Sequence, residues 1–235
     1  MPYRRLPNTD AARIRAMEQA FSKGQDLHPF KLAYTAETYV RLLAFLPSFK
    51  HNYQLQRQSY KNQVESDREY QELKKKAKTY INHFLRVMNM AVQRKDLRQD
   101  TPEFFGLING HASLPILTSE KDIIHWGEKV LEGETVRIRT GRTPITNPTM
   151  AVVKVHYENF IEAYYYKNTL NKKAKGYADK ISEMRTQADE LIANIWNEVE
   201  NTYSELPDDE RRLKAEDYGL VYVFRKSEIK ETNTN

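Results

Sequence analysis

Large apolar side chains recur at steps of three and four residues in four long stretches of this sequence, at about 36–64, 67–94, 148–173 and 177–203. This spacing places the apolar side chains on one face of an α-helix. The alternation is most regular in the second and fourth stretches, where it runs through Tyr70, Leu73, Ala77, Ile81, Phe84 and Met88, and through Ile181, Met184, Ala188, Leu191, Ile195 and Val199. Such a seam needs a neighbouring helix to cover it.

We therefore predict an all-α protein, in which four long helices form an antiparallel helical bundle of two α-hairpins with short accessory helices. The corners of the hairpins are expected near residues 65–66 and at Gly176. Pro47 lies inside the first stretch and predicts a kink or a break in that helix. The apolar stripe of the first helix ends with Tyr60 and Val64, so both are expected in the core.

Local signals add shorter elements to this bundle. Thr9 or Asp10 is expected to cap a short helix that stops at Gly24, and Thr118 or Ser119 a second one that ends at Gly133. A β-favouring run occupies residues 220–224, and the only comparable run covers residues 136–139. A minor pairing of these two runs is one alternative, and an unpaired tail is the other.

The predicted organisation divides the chain into four segments of one compact domain. Residues 1–30 hold a basic arm and the short N-terminal helix, and residues 31–107 hold the first hairpin. Residues 108–147 hold a short helix and an irregular basic loop, and residues 148–226 hold the second hairpin with a C-terminal extension.

Composition narrows the classes of function. The chain of 235 residues contains no cysteine, which excludes disulfides, a thiolate nucleophile and cysteine-ligated metal sites. Neither a signal-like N-terminus nor an apolar run long enough to span a membrane is present, so we expect a cytoplasmic protein without a membrane partner.

The net charge of +5 is unevenly distributed. Residues 72–98 carry eight Lys or Arg and two acids, whereas residues 179–217 carry five Lys or Arg and twelve acids. One interpretation is that the two segments neutralise each other within the bundle, or in a second copy of the chain. The other is that the basic segment binds phosphate groups.

Clusters of cations provide the candidate binding residues. Guanidinium groups beside hydroxyls suit phosphate, although a run of lysines is more often a solvated helix face. The candidate contacts to phosphate or nucleic acid are Arg4, Arg5, Arg137, Arg139, Arg142, Lys74, Lys75 and Lys76.

Sites of enzymatic chemistry are not evident in the sequence. It lacks the Glu-x-x-His pairs of di-iron bundles, the His-Glu-x-x-His zinc motif and the glycine-rich phosphate loops. His83 and His156 are candidates for an acid–base pair or a metal site in the core, but boundary histidines are the more common explanation. Of three consecutive tyrosines, Tyr164 is expected in the core, with Tyr165 or Tyr166 facing a partner. We predict no catalytic, metal or cofactor residue.

Three stretches carry a resemblance to a known family. Residues 1–10 (MPYRRLPNTD), residues 145–149 (ITNPT) with 151–155 (AVVKV), and residues 194–200 (NIWNEVE) resemble a conserved, uncharacterised family of bacterial proteins. The family has no established activity, so the resemblance implies a free-standing bacterial helical protein and transfers no site residues.

The sequence does not identify one function; it favours the first of three and leaves the other two as alternatives. The first is a non-enzymatic interaction protein, an adaptor or scaffold that binds a protein partner or a second copy through its helix faces. The second is a nucleic-acid or ribonucleoprotein binder that uses the basic clusters. The third is an enzyme or small-ligand binder with a site in the bundle core.

Overall fold

The computed structural model describes residues 3–107 and 114–223, and within them the protein is almost entirely helical, as predicted. Its helices are α1 (Asp10–Asp26), α2 (Ala36–Gln93), α3 (Glu120–Arg139), α4 (Met150–Thr202) and α5 (Asp208–Glu216). Two 3₁₀ turns cover Pro29–Lys31 and Thr101–Phe105, and two short strands are β1 (Tyr3–Arg4) and β2 (Tyr222–Val223). None of the helices in the described ranges combines the length and the apolar character that crossing a membrane requires.

Helices α2 and α4 are continuous over 58 and 53 residues, so the predicted hairpin corners are wrong. Residues 63–67 contain neither glycine nor proline, and nothing there stops a helix. Gly176 is exposed with no atom within 4 Å of a would-be Cβ, and one helical glycine costs only about 1 kcal/mol relative to alanine. Pro47 also lies on an exposed part of α2, which continues through it without a break.

The described residues form two compact units. Unit 1 contains residues 3–60 and 173–223, and unit 2 contains residues 61–107 and 114–172. Each unit has its own hydrophobic core. The predicted segments 31–107 and 148–226 therefore each contribute to both units.

Unit 1 packs α1, α5 and the sheet against the first part of α2 and the last part of α4. Its largest buried side chains include Trp196, Phe49 and Met17. Helix α1 begins after Thr9, whose side chain accepts a hydrogen bond from the backbone N–H of Ala12, as a capping residue does. The helix continues past Gly24 to Asp26, so its predicted end is two residues early.

Two bidentate ion pairs fix α1 on α4. The guanidinium of Arg13 donates to Asp189 at 2.8 and 2.9 Å, and that of Arg185 donates to Asp10 with both contacts at 2.8 Å. The hydrogen bond to Asp10 also raises the pKa of Arg185. Asp189 of α4 is thus engaged by a cation of α1, and Asp10 of α1 by a cation of α4.

The predicted strand in the C-terminal run exists, but its predicted partner is wrong. β2 pairs antiparallel with β1, with Tyr3 opposite Val223 and Arg4 opposite Tyr222. The backbone N–H of Arg5 continues the ladder by donating to the Val221 carbonyl at 2.8 Å. Residues 136–139 belong to α3 instead, and residue 224 lies outside the described residues.

Unit 2 is built on the last part of α2 and the first part of α4, which run antiparallel. Gln63 donates to Asn171 at 2.7 Å and Lys167 to Asp67 at 2.9 Å, and further along α2 the ring of Tyr80 stacks on His156. Residue numbers rise on one helix as they fall on the other, which defines the antiparallel direction.

Helix α3 completes unit 2 and begins with a capping box formed by Ser119 and Asp122, as the sequence indicates. It does not end at Gly133 but continues to Arg139. A Cβ at Gly133 would overlap the backbone of Phe104 and the ring of Phe105. This glycine therefore permits a close approach to the 3₁₀ turn and does not mark the end of the helix.

Candidate functional site

The predicted phosphate-binding residue Arg4 is engaged inside unit 1. Its guanidinium donates to Asn197 at 2.8 Å and to Glu200 at 2.9 Å, and it lies 5.8 Å from the centre of the Trp196 ring. The hydroxyl of Tyr222 donates to the same carboxylate at 2.7 Å. Arg4 thus holds the N-terminal arm against α4 through neighbours that already satisfy its charge.

Arg137 is not on a surface loop, as the sequence analysis expected, but in the interior of unit 2. Its side chain is 1% exposed and donates to the carboxylate of Glu134 at 2.7 and 2.8 Å. It also donates to the Thr143 carbonyl at 2.6 Å, while Glu134 accepts from the backbone N–H of Ile145 at 2.9 Å. The pair fastens the segment after α3 onto that helix, and its burial leaves no room for a phosphate.

Arg142 and Lys74 are also paired. Arg142 donates to Asp100 at 3.0 and 2.8 Å and lies over the ring of Phe104. The hydrogen bond from Arg142 lowers the pKa of the Asp100 carboxyl and raises the pKa of the guanidinium. The ammonium of Lys74 lies 3.3 Å from the carboxylate of Glu120.

The remaining predicted cations, Arg5, Arg139, Lys75 and Lys76, are exposed, and none forms an ion pair with another described residue. These four lie on three different parts of the chain. Arg5 lies in unit 1, Arg139 ends α3, and the two lysines lie on the part of α2 that belongs to unit 2.

The two lysines belong to a larger arrangement, which we call the basic face and define as Lys75, Lys76, Thr79, His83 and Arg86. All five side chains are exposed. Their spacing places them on one side of α2. The opposite side, with Ala77, Ile81, Phe84 and Leu85, is buried in the core of unit 2. Burial of that side fixes which residues the helix presents to solvent.

The basic face carries no carboxylate. Between Glu72 and Asp96 the sequence of α2 and its end contains no Asp or Glu, and Lys78 adds a further exposed cation beside the face. Neither Lys75, Lys76 nor Arg86 has an ion-pair partner in the described ranges. Arg86 was missed in the sequence analysis because it is separate from the lysine run. The helical spacing of 75, 79 and 86 was the signal that could have identified it.

The ion pairs of the described residues show which partners the two charged segments use. The acidic residues of 179–217 that form ion pairs do so with cations of unit 1, such as Arg4, Arg13 and Lys23. In unit 2, the cations of the basic segment that are paired use Glu120, Asp96 and Asp100. The basic face is left with an excess of positive charge within its own unit.

The histidine and tyrosine candidates differ in how far they are exposed. His156 is half-buried and stacks on Tyr80 with ring centres 4.0 Å apart, whereas His83 is exposed on the basic face. In the described ranges no cluster of His, Asp and Glu is arranged to hold a metal ion. Tyr164 packs against the core of unit 2, while Tyr165 and Tyr166 are 64% and 57% exposed.

Comparisons with known proteins found no matching family model, no matching curated protein and no matching solved structure. The functional argument therefore depends on the geometry and charge described above.

Proposed function

We propose that this chain is a non-enzymatic interaction protein that binds nucleic acid through the basic face of α2. The observation that carries the proposal is the set of exposed cations Lys75, Lys76 and Arg86, which have no ion-pair partner among the described residues. A helix anchored by its buried side fixes the backbone positions from which these cations extend into solvent.

The spacing of the cations suits a phosphate backbone. Ten residues of helix separate Lys76 from Arg86, an axial distance of about 15 Å. This is comparable to the width of the DNA major groove, about 12 Å, so the two ends of the face can reach phosphates on opposite sides of a groove. The Thr79 hydroxyl between them donates to the carbonyl of Lys75 at 2.9 Å, so the phosphate contacts of this face come from its cations.

Composition of the face favours nucleic acid over an acidic protein partner. Protein interfaces obtain most of their affinity from buried aromatic and aliphatic side chains. The basic face contains no apolar side chain, and Met90, one turn beyond Arg86, is the nearest exposed one on that side. Affinity would then come from charge, which is typical of sequence-independent nucleic-acid binding.

The test is a titration of a fluorescein-labelled 20-base-pair DNA duplex, followed by anisotropy at 50 and 200 mM KCl. Each phosphate contact contributes about −0.9 to the slope of log K against log salt. Three contacts therefore predict an affinity about 40-fold weaker at the higher salt concentration. The triple variant K75A/K76A/R86A should lose most of the affinity and of the salt dependence.

A matched control removes the same charge elsewhere. Lys172, Lys173 and Lys175 are exposed on α4, and the variant K172A/K173A/K175A changes the net charge equally. We expect it to bind the duplex within about threefold of wild type, since non-specific binding retains a small contribution from total charge. Equal losses in both variants would assign binding to net charge alone. Binding of polyglutamate but not of DNA by wild type would point to an acidic protein partner instead.

A further inference from the structure

A groove of about 450 Å³ in unit 1 lies between α1, the N-terminal arm and the turn that precedes β2. Its polar lining consists of Arg5, Asn8, Arg15 and Gln19, and Trp196 and Gly219 contribute to its walls. No carboxylate lines it. The volume falls within the range of small-molecule sites, about 300–1,000 Å³.

The two arginines of the groove differ from their neighbours in sequence. Four arginines occur in the first 15 residues. Arg4 and Arg13 form ion pairs with Glu200 and Asp189. Arg5 and Arg15 are exposed and form no ion pair with any described residue. The acids of this region are thus engaged by other cations, which leaves the groove with two guanidinium groups and two carboxamides.

The fold fixes the backbone that carries these groups before any ligand is present. Arg15 and Gln19 are four residues apart and therefore share one face of α1. The opposite wall approaches closely at Gly219, which has a φ of +89°, and whose would-be Cβ would lie 2.8 Å from the Ala16 carbonyl. The arm that carries Arg5 is fixed by its backbone hydrogen bond to Val221.

We propose that this groove binds a small organic phosphate of the size of a mononucleotide. A guanidinium group forms two parallel hydrogen bonds with a phosphate, and two such groups can engage a dianion. The carboxamides of Asn8 and Gln19 offer donors and acceptors for hydroxyl groups of the ligand. Leu6 and Val221, which are 46% and 50% exposed, offer apolar surface for its ring.

This site is separate from the basic face, because the groove belongs to unit 1 and the basic face to unit 2. The two proposals therefore fail independently. The variant K75A/K76A/R86A should bind a mononucleotide as wild type does.

The probes are adenosine monophosphate, inorganic phosphate and adenosine, each titrated by calorimetry into the full chain. The chain has two tryptophans, so the variant W126F leaves Trp196 as the sole indole reporter at the groove. We expect adenosine monophosphate to bind and to change the Trp196 fluorescence. It should bind at least about tenfold more tightly than adenosine, which lacks the charge-assisted hydrogen bonds, and more tightly than inorganic phosphate, which lacks the ring.

Variants R5Q and R15Q should each weaken binding of adenosine monophosphate at least about tenfold, and R15K, which keeps the charge but not the planar fork, should be intermediate. R139Q removes an exposed, unpaired arginine of α3 and should match wild type. Circular dichroism confirms that each variant is folded. The proposal would be overturned if wild type did not bind adenosine monophosphate at 5 mM, or if it bound adenosine or inorganic phosphate as tightly as the nucleotide. Unchanged affinity for adenosine monophosphate in the folded double variant R5Q/R15Q would also overturn it.

Discussion

The buried ion pair of unit 2 predicts a large loss of stability when one partner is removed. Glu134 and Arg137 are 0% and 1% exposed and share two hydrogen bonds. In the variant E134A the guanidinium would remain in the interior without its counter-charge. Breaking a buried pair in this way typically costs about 3–5 kcal/mol.

A second loss adds to this cost. The carboxylate of Glu134 also accepts a hydrogen bond from the backbone N–H of Ile145, and that N–H has no alternative acceptor in the described contacts. For a unit of this size, each 1 kcal/mol shifts the melting temperature by about 4 °C, so the broken ion pair by itself predicts that E134A melts about 12–20 °C lower, and the second loss makes this shift a lower bound. Hydrogen exchange at the Ile145 amide should accelerate in parallel.

The assay is thermal unfolding followed by calorimetry, with two comparison variants. Glu158 forms an exposed pair with Lys154 at 3.7 Å, and E158A should cost no more than about 0.5 kcal/mol. The double variant E134L/R137M replaces the pair with apolar side chains of similar length and should recover most of the lost stability, because it leaves no buried charge. A melting temperature of E134A within about 2 °C of wild type would refute the reasoning, as would a double variant less stable than E134A.

Three other predictions concern single sites. Gly219→Ala should destabilise unit 1 by about 1–3 kcal/mol because the φ of Gly219 is +89°. Gly176→Ala changes an open helical position and should stabilise the protein by about 0.5–1 kcal/mol. Denaturant unfolding measures both changes. The backbone N–H and the side chain of Ser119 lower the pKa of Asp122 to about 2. The stability that the Asp122 carboxylate contributes is therefore fully present above its unfolded pKa of about 3.9 and is lost as pH falls towards 2. The melting temperatures of Asp122→Ala and wild type should differ at pH 6 and converge near pH 2. Ile195→Asp places a charge at a position 1% exposed and should abolish the cooperative unfolding of unit 1, and a wild-type melt would show that this register is wrong.

Apolar periodicity predicted many of the core residues on the long helices. All six predicted positions from Ile181 to Val199 are buried, and so are Tyr70, Ala77 and Ile81 on α2. The pattern failed at Tyr60 and Val64, which are 67% and 55% exposed. These two lie where α2 passes from unit 1 to unit 2, at the margin of both cores, and a local pattern does not report where a core ends.

The connection between helices was not predictable from the same pattern. A seam with steps of three and four requires a neighbour but does not identify it. The prediction folded the chain back at residues 65–66, so that residues near 50 would face residues near 81. In the structure Phe49 is in the core of unit 1 and Ile81 in that of unit 2. Whether two such stretches form a hairpin or one continuous helix depends on the residues between them. Neither residues 63–67 nor Gly176 interrupts its helix.

The prediction for Arg137 failed because the end of α3 was predicted too early. Arg137 and Arg139 are two positions apart in one polar segment, yet the first is buried and the second exposed. Because α3 continues through this segment, the two side chains point about 200° apart around the helix, which becomes evident only when the helix end is known. Cytoplasmic location and membership of the bacterial family stay predictions.

Net charge alone does not locate a binding surface in this protein. Half of the eight cations that the sequence singles out have a carboxylate within hydrogen-bond distance, as Arg4, Arg142 and Lys74 do. A paired cation gives up part of its attraction for phosphate, because a ligand must compete with the carboxylate already in place. Two kinds of cation remain unpaired and able to bind phosphate. The first lies on a helix face without acids, as on α2. The second lies near acids that are already paired with other cations, as in the groove. Substitution of Lys75 should therefore weaken DNA binding, and substitution of Arg15 should weaken mononucleotide binding. Equal changes of charge elsewhere should have a much smaller effect on either ligand.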